Sequence, residues 1–388
     1  MFSEDKCKYF FAISVLVHGK FAKKYYICFW IILRAMDKNG KITIIDVARK
    51  AGVSKGTVDR VVHNRGEVSR KSAEKVRKAI EELQYRPNLY ASVLATRKAY
   101  MIACLLPAFS KGEYWEKMHE GFLRGGESVA NLNVVTRVFL YDQYDPEAFR
   151  AAATEMLASD PSGVIMQPLF KNETLELSAR LRELGIPYAY VDTKLEDPGY
   201  FAHYGMPMYK SGRLCAMMLT ERLASEEVRD VVVVRITRDK TRRSDPTMER
   251  RSGFSDFFDE HFPECRIHQV FIDPNRPESI PGTLDAFAAD HPDMKLVVMF
   301  NSRIHLIADW LAAHPVEGRR VIGFDNLEKN LEAVRNDIVS ILITEHIEDQ
   351  TFKAVTALSN YILMHKSIPM RDNYMHMDIL TKYNLEYY

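Results

Sequence analysis

The stretch AGVSKGTVDRVV at residues 51–62 poses the first chemical question, because GVSKGT resembles part of a phosphate-binding loop. A loop that cradles nucleotide phosphates needs the pattern G-x-x-x-x-G-K-[ST] between a strand and a helix. Here the lysine precedes the glycine, the spacing differs, and a helical pattern comes before the loop. The stretch therefore does not predict a nucleotide site, and the phosphates of a nucleic acid remain the alternative.

A second set of chemically useful residues follows buried-strand patterns further along the chain. Open α/β sheets bind ligands outside the carboxyl ends of their strands, so side chains at these ends should meet. Carboxylates, an amide and a guanidinium beside aromatic rings are typical of a sugar site, because rings stack on the sugar while polar groups pair with hydroxyls. The predicted ligand-binding residues are Tyr114, Trp115, Asp192, Arg250, Asn301, Asp325 and Glu345.

Simpler explanations exist for some of these residues. Tyr114 and Trp115 could cover the edge of a core, and Glu345 could be a charge at a helix start. Asp142 and Gln167 also follow strand patterns. The sequence shows no nucleophile–base pair, no metal-ligand spacing, and five scattered cysteines with no CxxC pair. We therefore expect no enzyme activity, no metal, no cofactor and a reducing, cytoplasmic location.

The elements that must position these residues differ along the chain. Residues 41–98 carry a net charge of +8, whereas residues 99–388 carry −11, which suggests a polyanion-binding module on an acidic body. Residues 1–40 carry +4 and contain two apolar runs, each about half the length that spans a bilayer. A mis-assigned start with true initiation at Met36, a membrane-associating extension and a structured element are the competing explanations for 1–35.

Helical patterns dominate the basic segment. TIIDVARKAG has Thr43 as a possible cap with Asp46 three residues on, and Gly52 ends this short helix. Ser54 can cap a second helix, and a third follows the polar turn NRGEVS. Helix, tight turn, helix, loop and helix describe a helix-turn-helix domain. Its second helix would place Lys55, Gly56 and Arg60 against base edges in the major groove, although a three-helix protein-interaction module is the alternative.

Apolar runs alternate with amphipathic segments from Met101 onward. Buried strands alternating with helices predict a parallel sheet with helices on both faces. Nine or more such strands are too many for one sheet, so we expect two similar α/β lobes with a cleft between them. The fold class is thus a two-lobed α/β body preceded by a small all-α helix-turn-helix domain.

Residues 43–88 resemble the DNA-binding domain of the lactose-repressor (LacI) family of bacterial transcription regulators. The match runs through D-V-A-x-x-A-G-V-S-x-x-T-V-x-R-V and L-x-Y-x-P-N. The resemblance implies a hinge helix after Asn88 and a minor-groove wedge at Leu94. Asp59 departs from the serine of most members, so an operator cannot be transferred. The residues expected to contact DNA are Thr43, Ser54, Lys55, Gly56, Thr57, Asp59, Arg60, Asn64, Ser69, Asn88 and Leu94.

Residues 101–385 resemble that family's effector domain, on the branch similar to periplasmic ribose-binding proteins. The patterns I-P-x-x-x-V-D, R-x-x-G-F and G-F-D-N contain Asp192, Arg250 and Asp325. Thr193 stands where arginine is frequent, and Glu345 where glutamine is frequent. The extra negative charge disfavours acidic ligands, so the resemblance implies a neutral or amino sugar.

The sequence thus predicts a cytoplasmic regulator that binds double-stranded operator DNA as a homodimer and responds to a small carbohydrate-like effector. A sugar-binding receptor for transport, tethered to a membrane by the N-terminal apolar runs, is the competing hypothesis, and an enzyme is the third. The expected regions are an extension at 1–40, the helix-turn-helix domain at 41–86, a hinge helix and linker at 87–99, and the body at 100–388. Within the body, lobe 1 is expected at about 100–205 and 326–365, and lobe 2 at about 206–325 and 366–388.

Overall fold

A computed structural model of the chain describes residues 42–62, 66–85, 99–236 and 247–388. The chain divides into two compact units, with the boundary between Leu89 and Tyr90. No helix among the described residues is both long and apolar enough to cross a membrane. The predicted extension at 1–40 and the predicted hinge helix, up to Lys98, lie outside the described residues.

Three helices form the first unit: α1 (Ile44–Ala51), α2 (Lys55–Val62) and α3 (Arg70–Glu82). Thr43 and Asp46 form a reciprocal capping box at the start of α1. Gly52 ends the helix with φ of 65° and donates its N–H to the carbonyls of Ala48 and Arg49. That left-handed backbone suits glycine, and it allows α2 to start only three residues later.

A small apolar core holds the three helices together. Val47, Val58 and Val76, one from each helix, are fully buried. Their spacing turns one apolar face of each helix to the core and leaves the polar face outward, as the amphipathic pattern predicts. The helix-turn-helix fold predicted from the sequence is confirmed.

The second unit contains two six-stranded sheets. The first has strands β1 (Tyr100–Pro107), β2 (Val134–Tyr141), β3 (Gly163–Met166), β4 (Tyr188–Val191), β5 (Ala202–Gly205) and β11 (Asp372–Tyr374). All its pairs are parallel, in the order β11-β5-β4-β3-β1-β2. We call the part of the body built on this sheet lobe 1.

The second sheet defines lobe 2 and repeats this topology. Its strands are β6 (Asp230–Ile236), β7 (Arg266–Ile272), β8 (Leu296–Met299), β9 (Arg320–Phe324), β10 (Ile341–Thr344) and β12 (Asp378–Leu380). The order is β12-β10-β9-β8-β6-β7, parallel except for the β10–β12 pair. The predicted two-lobed α/β body is confirmed.

Helices cover both faces of each sheet, and each face has its own apolar cluster. Lobe 1 carries α4 (Tyr114–Val129), α5 (Pro146–Ala158), α6 (Lys171–Glu183) and α12 (Ile347–Met364). Lobe 2 carries α7 (Met208–Thr220), α8 (Met248–His261), α9 (Ile280–Asp290), α10 (Ala308–Ala313) and α11 (Glu328–Arg335).

The structure corrects the predicted lobe boundaries after residue 325. Residues 328–344 were expected in lobe 1, but β10 pairs with β9 and therefore lies in lobe 2. The tail at 366–388 was expected in lobe 2, but its first strand pairs with β5 of lobe 1. Because β11 and β5 are far apart in the chain, their pairing leaves no local pattern in the sequence. The chain consequently crosses between lobes three times, near residues 206, 346 and 376.

Glycines allow the closest helix contacts in the body. A Cβ on Gly212 of α7 would lie 1.8 Å from the carbonyl oxygen of Arg250, and one on Gly253 would lie 2.0 Å from that of Tyr209. Real Cβ atoms do not approach backbone oxygen so closely, so these glycines let α7 and α8 touch backbone to backbone. This contact fixes the first turn of α8, which carries Arg250.

We expect Gly253→Ala to destabilise the body, because the new methyl group forces α7 and α8 apart. Overpacking of this kind costs about 1–3 kcal/mol, and the blocking atom here is backbone, so the upper end is expected. Gly282→Ala is the matched control, since nothing lies within 4 Å of its Cβ position in α9. Urea unfolding of both variants measures the difference. Equal stabilities for the two variants would contradict the packing account.

Candidate functional site

The seven predicted ligand residues all line one cleft between the lobes. The structure brings Tyr114, Trp115 and Asp192 from lobe 1 together with Arg250, Asn301 and Asp325 from lobe 2. Glu345 lies where the chain crosses from β10 to α12. About 580 Å³ of space, part of it open to solvent, lies between the walls. The other lining residues are Gln143, Gln167, Leu169, Met208, Thr247, Phe300, Ser302 and Arg303.

Asp192 and Asp325 occupy equivalent places in the two lobes. Asp192 follows β4 with φ of 65°, and Asp325 follows β9 with φ of 67°. Each is tied to the next strand by its own N–H, which donates to Tyr204 O or Ile343 O at 2.9 Å. Aspartate tolerates this left-handed backbone better than most residues do. The turn leaves the two carboxylates facing the cleft, 8% and 6% exposed respectively.

Arg250 is held rigidly by protein groups. Its Nε donates to Ser211 Oγ at 3.0 Å, and one terminal nitrogen donates to the Phe300 carbonyl. The other terminal nitrogen lies 3.1 Å from the sulfur of Met208. The guanidinium carbon lies 4.0 Å from the centre of the Phe324 ring, a cation–π contact. Its position is therefore set before any ligand arrives.

Gln350 connects the cleft to the crossover between the lobes. Its side-chain oxygen accepts from the Asp192 N–H at 2.8 Å, and its nitrogen donates to Glu345 Oε2 at 3.3 Å. His346, the residue after Glu345, has φ of 51°, and its Nε2 lies 2.6 Å from Asp378 at the start of β12.

Two aromatic residues form one wall of the cleft. Tyr114 and Trp115 begin α4 with ring centres 5.0 Å apart in an edge-to-face arrangement. Tyr114 donates its hydroxyl proton to Glu345 Oε1 at 3.3 Å, and Trp115 donates its indole N–H to Gln143 at 3.4 Å. These bonds orient both rings towards the polar groups.

The sequence did not single out Arg303, which bridges the lobes. Its guanidinium lies 3.4 Å from the Tyr144 hydroxyl and 3.9 Å from the Glu113 carboxylate, both in lobe 1. The Arg303 backbone N–H donates to Asn301 Oδ1 at 3.1 Å. Its position two residues after a strand-end amide is the only local signal for it, because the cross-lobe contacts come from distant segments.

Burial strongly changes the acid–base behaviour of the cleft carboxyls. Burial, followed by repulsion from Glu345, raises the pKa of Asp192 from 3.8 to about 7. The same two causes raise the pKa of Asp325 well above its usual range, and burial raises that of Glu345. Arg250 opposes each shift without cancelling it. Without a ligand to compensate it, each of the three carboxyls therefore keeps its proton to a higher pH than an exposed carboxyl does.

The predicted DNA-contacting residues of the first unit lie at and after its turn. Ser54 accepts a bond from the Thr57 N–H at 3.1 Å, as a cap of α2 should. Lys55, Gly56 and Arg60 are exposed, and Thr57 is half-buried. Thr43 and Ser69 are exposed caps of α1 and α3, while Asn64, Asn88 and Leu94 lie outside the described residues.

Asp59 is not a free charge facing outward. It is half-buried in the three-helix unit, and its charge adds to burial in raising the pKa of Tyr85. Tyr85 in turn packs against the apolar core of that unit. Asp59 therefore lies near Tyr85, and its contact with DNA stays a prediction.

We expect the ligand-free body to lose stability as the pH rises from about 4 to about 7. The folded state keeps its proton on Asp192 to a higher pH than the unfolded state does, and above about pH 7 the loss is complete. Asp192→Asn removes this effect and tolerates the same backbone. Relative to the parent, its free energy of unfolding should rise between pH 4.5 and 8 by up to a few kcal/mol, at about 1.4 kcal/mol per pKa unit.

Asp293→Asn, at an exposed carboxylate, is the control for this measurement by urea denaturation. It should follow the parent at both pH values. A stability difference between Asp192→Asn and the parent that is the same at both pH values would contradict the raised pKa.

Comparison with protein families supports both parts of the chain. Residues 43–88 match the model of the lacI family of bacterial regulatory proteins. Residues 102–366, more than half of the chain, match the periplasmic binding protein domain. Among the described residues, no group of histidines, cysteines and carboxylates could hold a metal ion.

Individual relatives agree with these assignments. HTH-type transcriptional regulator RegA of Clostridium saccharobutylicum is 35% identical over 156 residues, which is 40% of this chain and 45% of RegA. The matched region thus spans about half the length of this relative. The glucose-galactose binding protein GanP of Geobacillus stearothermophilus shares the fold, with 17% identity, a TM-score of 0.64, and 74% of this chain and 99% of GanP covered.

A second solved structure aligns with a slightly larger share of this chain than GanP does, and at higher sequence identity. It is a candidate LacI transcriptional regulator from Bacteroides fragilis, 31% identical, with a TM-score of 0.70, and the alignment covers 75% of this chain and all of that one. The helix-turn-helix unit, the two-lobed body and these matches together place the chain in the LacI family of bacterial regulatory proteins, with a periplasmic binding protein domain as its body.

Proposed function

We propose that this protein is a cytoplasmic transcription regulator, without enzyme activity, that binds operator DNA as a homodimer and responds to a small carbohydrate-like ligand. The proposal rests on one observation: a single chain contains two candidate binding sites. One is a capped helix that exposes Lys55 and Arg60, and the other is a cleft lined by side chains of two lobes.

The first unit has the chemistry of a base-reading module. Lysine and arginine pair with guanine in the major groove, and a recognition helix presents its N-terminal residues there. Lys55 and Gly56 begin α2, and Arg60 lies one turn further on. One such unit reads only a half-site, so adequate affinity requires two copies on a palindromic operator.

The cleft has the chemistry of a polyol site. Tyr114 and Trp115 offer ring faces, while Asn301, Asp325 and Arg250 offer hydrogen bonds that match hydroxyl groups. GanP, whose fold this body shares, is a glucose-galactose binding protein by name. Closure of the lobes around a ligand would shift the dimer between forms with different DNA affinity, which is allostery by differential binding.

We expect Arg60→Ala to abolish preference for the operator and to leave ligand binding unchanged. Loss of a bidentate guanine contact costs about 1–3 kcal/mol per half-site and falls on the specific sequence. Gel shifts on the upstream region of the chain's own gene, against a scrambled fragment, measure the preference.

Arg77→Ala is the matched control, because Arg77 is an exposed arginine on α3 outside the predicted recognition helix. It loses the same charge but should keep the preference. Equal effects of the two variants would contradict the assignment of α2. Ligand binding without DNA binding at low salt would contradict the regulator proposal and favour a sugar receptor.

A further inference from the structure

The cleft contains more negative charge than its cations balance. Asp192, Asp325 and Glu345 are at most 8% exposed, and all three line the cavity. Arg250 is 4% exposed, and its nitrogens bond to Ser211 and other neutral groups rather than to a carboxylate. Three carboxyl groups therefore share one buried guanidinium.

Arg303 does not correct this imbalance. Its guanidinium lies against Tyr144 and the Glu113 carboxylate, so its charge is matched at that place. Its side chain is 21% exposed, compared with 4% for the whole of Arg250. Water screens a partly exposed charge, so Arg303 acts weakly on the buried carboxyls.

The cleft also contains hydrogen-bond acceptors for which the described residues supply no donor. Gln167 lines the cavity and is 1% exposed, yet its side-chain oxygen has no hydrogen-bond partner among the described residues. Its nitrogen already donates to Asp192 Oδ2 at 3.2 Å. The structure shows no donor on the carboxylate of Asp325 among the described residues. Unpaired buried acceptors destabilise a site unless a ligand supplies donors.

An ammonium group meets both requirements. It carries one positive charge and three N–H donors, and it has no acceptor that the carboxylates would repel. Tyr114 and Trp115 also line this cavity, and an aromatic ring face attracts a cation within about 6 Å of its centre. A neutral sugar hydroxyl could donate one bond but would leave the charge uncompensated.

We infer that the cleft selects a compact polyhydroxylated ligand with a protonated amino group, of the amino sugar class, which binds among Asp192, Asp325 and Glu345. This inference rests on the proposed function, because it takes the cleft to be the effector site. Hydroxyls of the ligand pair with Asn301 and Arg250, and the ammonium places its positive charge and its donors among the three carboxyls.

The test is isothermal titration of the full chain near neutral pH with matched compounds. D-Glucosamine, D-galactosamine and D-mannosamine are each compared with the parent hexose and the N-acetyl derivative. At least one amine should bind about tenfold or more tightly than its two partners, which corresponds to about 1.4 kcal/mol. Partners that bind as tightly as their amines, or amines that all fail to bind, would overturn the inference.

Glu345→Gln separates charge selection from a merely structural role. It keeps the shape and the bond from Tyr114 but removes one charge and the oxygen that accepts from Gln350, so the ratio of amine to hexose affinity should fall severalfold towards one. Loss of both affinities in proportion would contradict electrostatic selection. Glu116→Gln, at a glutamate that is not among the cleft-lining residues and whose Oε2 accepts from the backbone N–H of Gly112, should leave the ratio unchanged.

The outcomes also separate this inference from the function proposed above. A neutral hexose that binds and changes operator affinity would support the regulator and overturn amine selection. Operator binding by a chain to which no compound of the panel binds would retain the DNA-binding function and overturn amine selection. Failure of operator binding in the same preparation would overturn the regulator itself.

Discussion

The burial of three carboxyl groups in one cleft is the constraint on which the rest of the body depends. Desolvation makes each charge costly, and mutual repulsion adds to that cost, so the site is stable only when protons or a ligand compensate it. The two sheets supply the positions, because Asp192 and Asp325 follow equivalent strands in left-handed turns. A ligand with positive charge and hydrogen-bond donors would compensate these groups.

The same cleft is connected to the parts of the chain that join the lobes. Glu345 lies at the second crossover, and Gln350 ties it to the backbone of Asp192. His346, the residue after Glu345, contacts Asp378 at the start of β12 in lobe 2. The residues around Glu345 therefore contact both lobes.

Much of the fold and the site could be predicted from sequence because the signals are local. Thr43, Gly52 and Ser54 set the caps and the turn of the first unit within twelve residues. Asp192 and Asp325 could be found because carboxyl ends of parallel strands meet at one edge. The lobe assignment of β10 and β11 was wrong, since pairing partners more than a hundred residues away for β11 leave no local pattern. Arg303 was missed for the same reason, because its partners Tyr144 and Glu113 lie in the other lobe.

The central claim is that occupancy of the cleft changes the affinity of the chain for DNA. The most direct test measures the dissociation constant of the full chain for its upstream operator, with and without a saturating amount of the tightest-binding compound. The account predicts a change of at least fivefold, and it predicts that Asp325→Asn abolishes the change while operator affinity without the compound is retained. Saturation of the cleft with no change in operator affinity would contradict it.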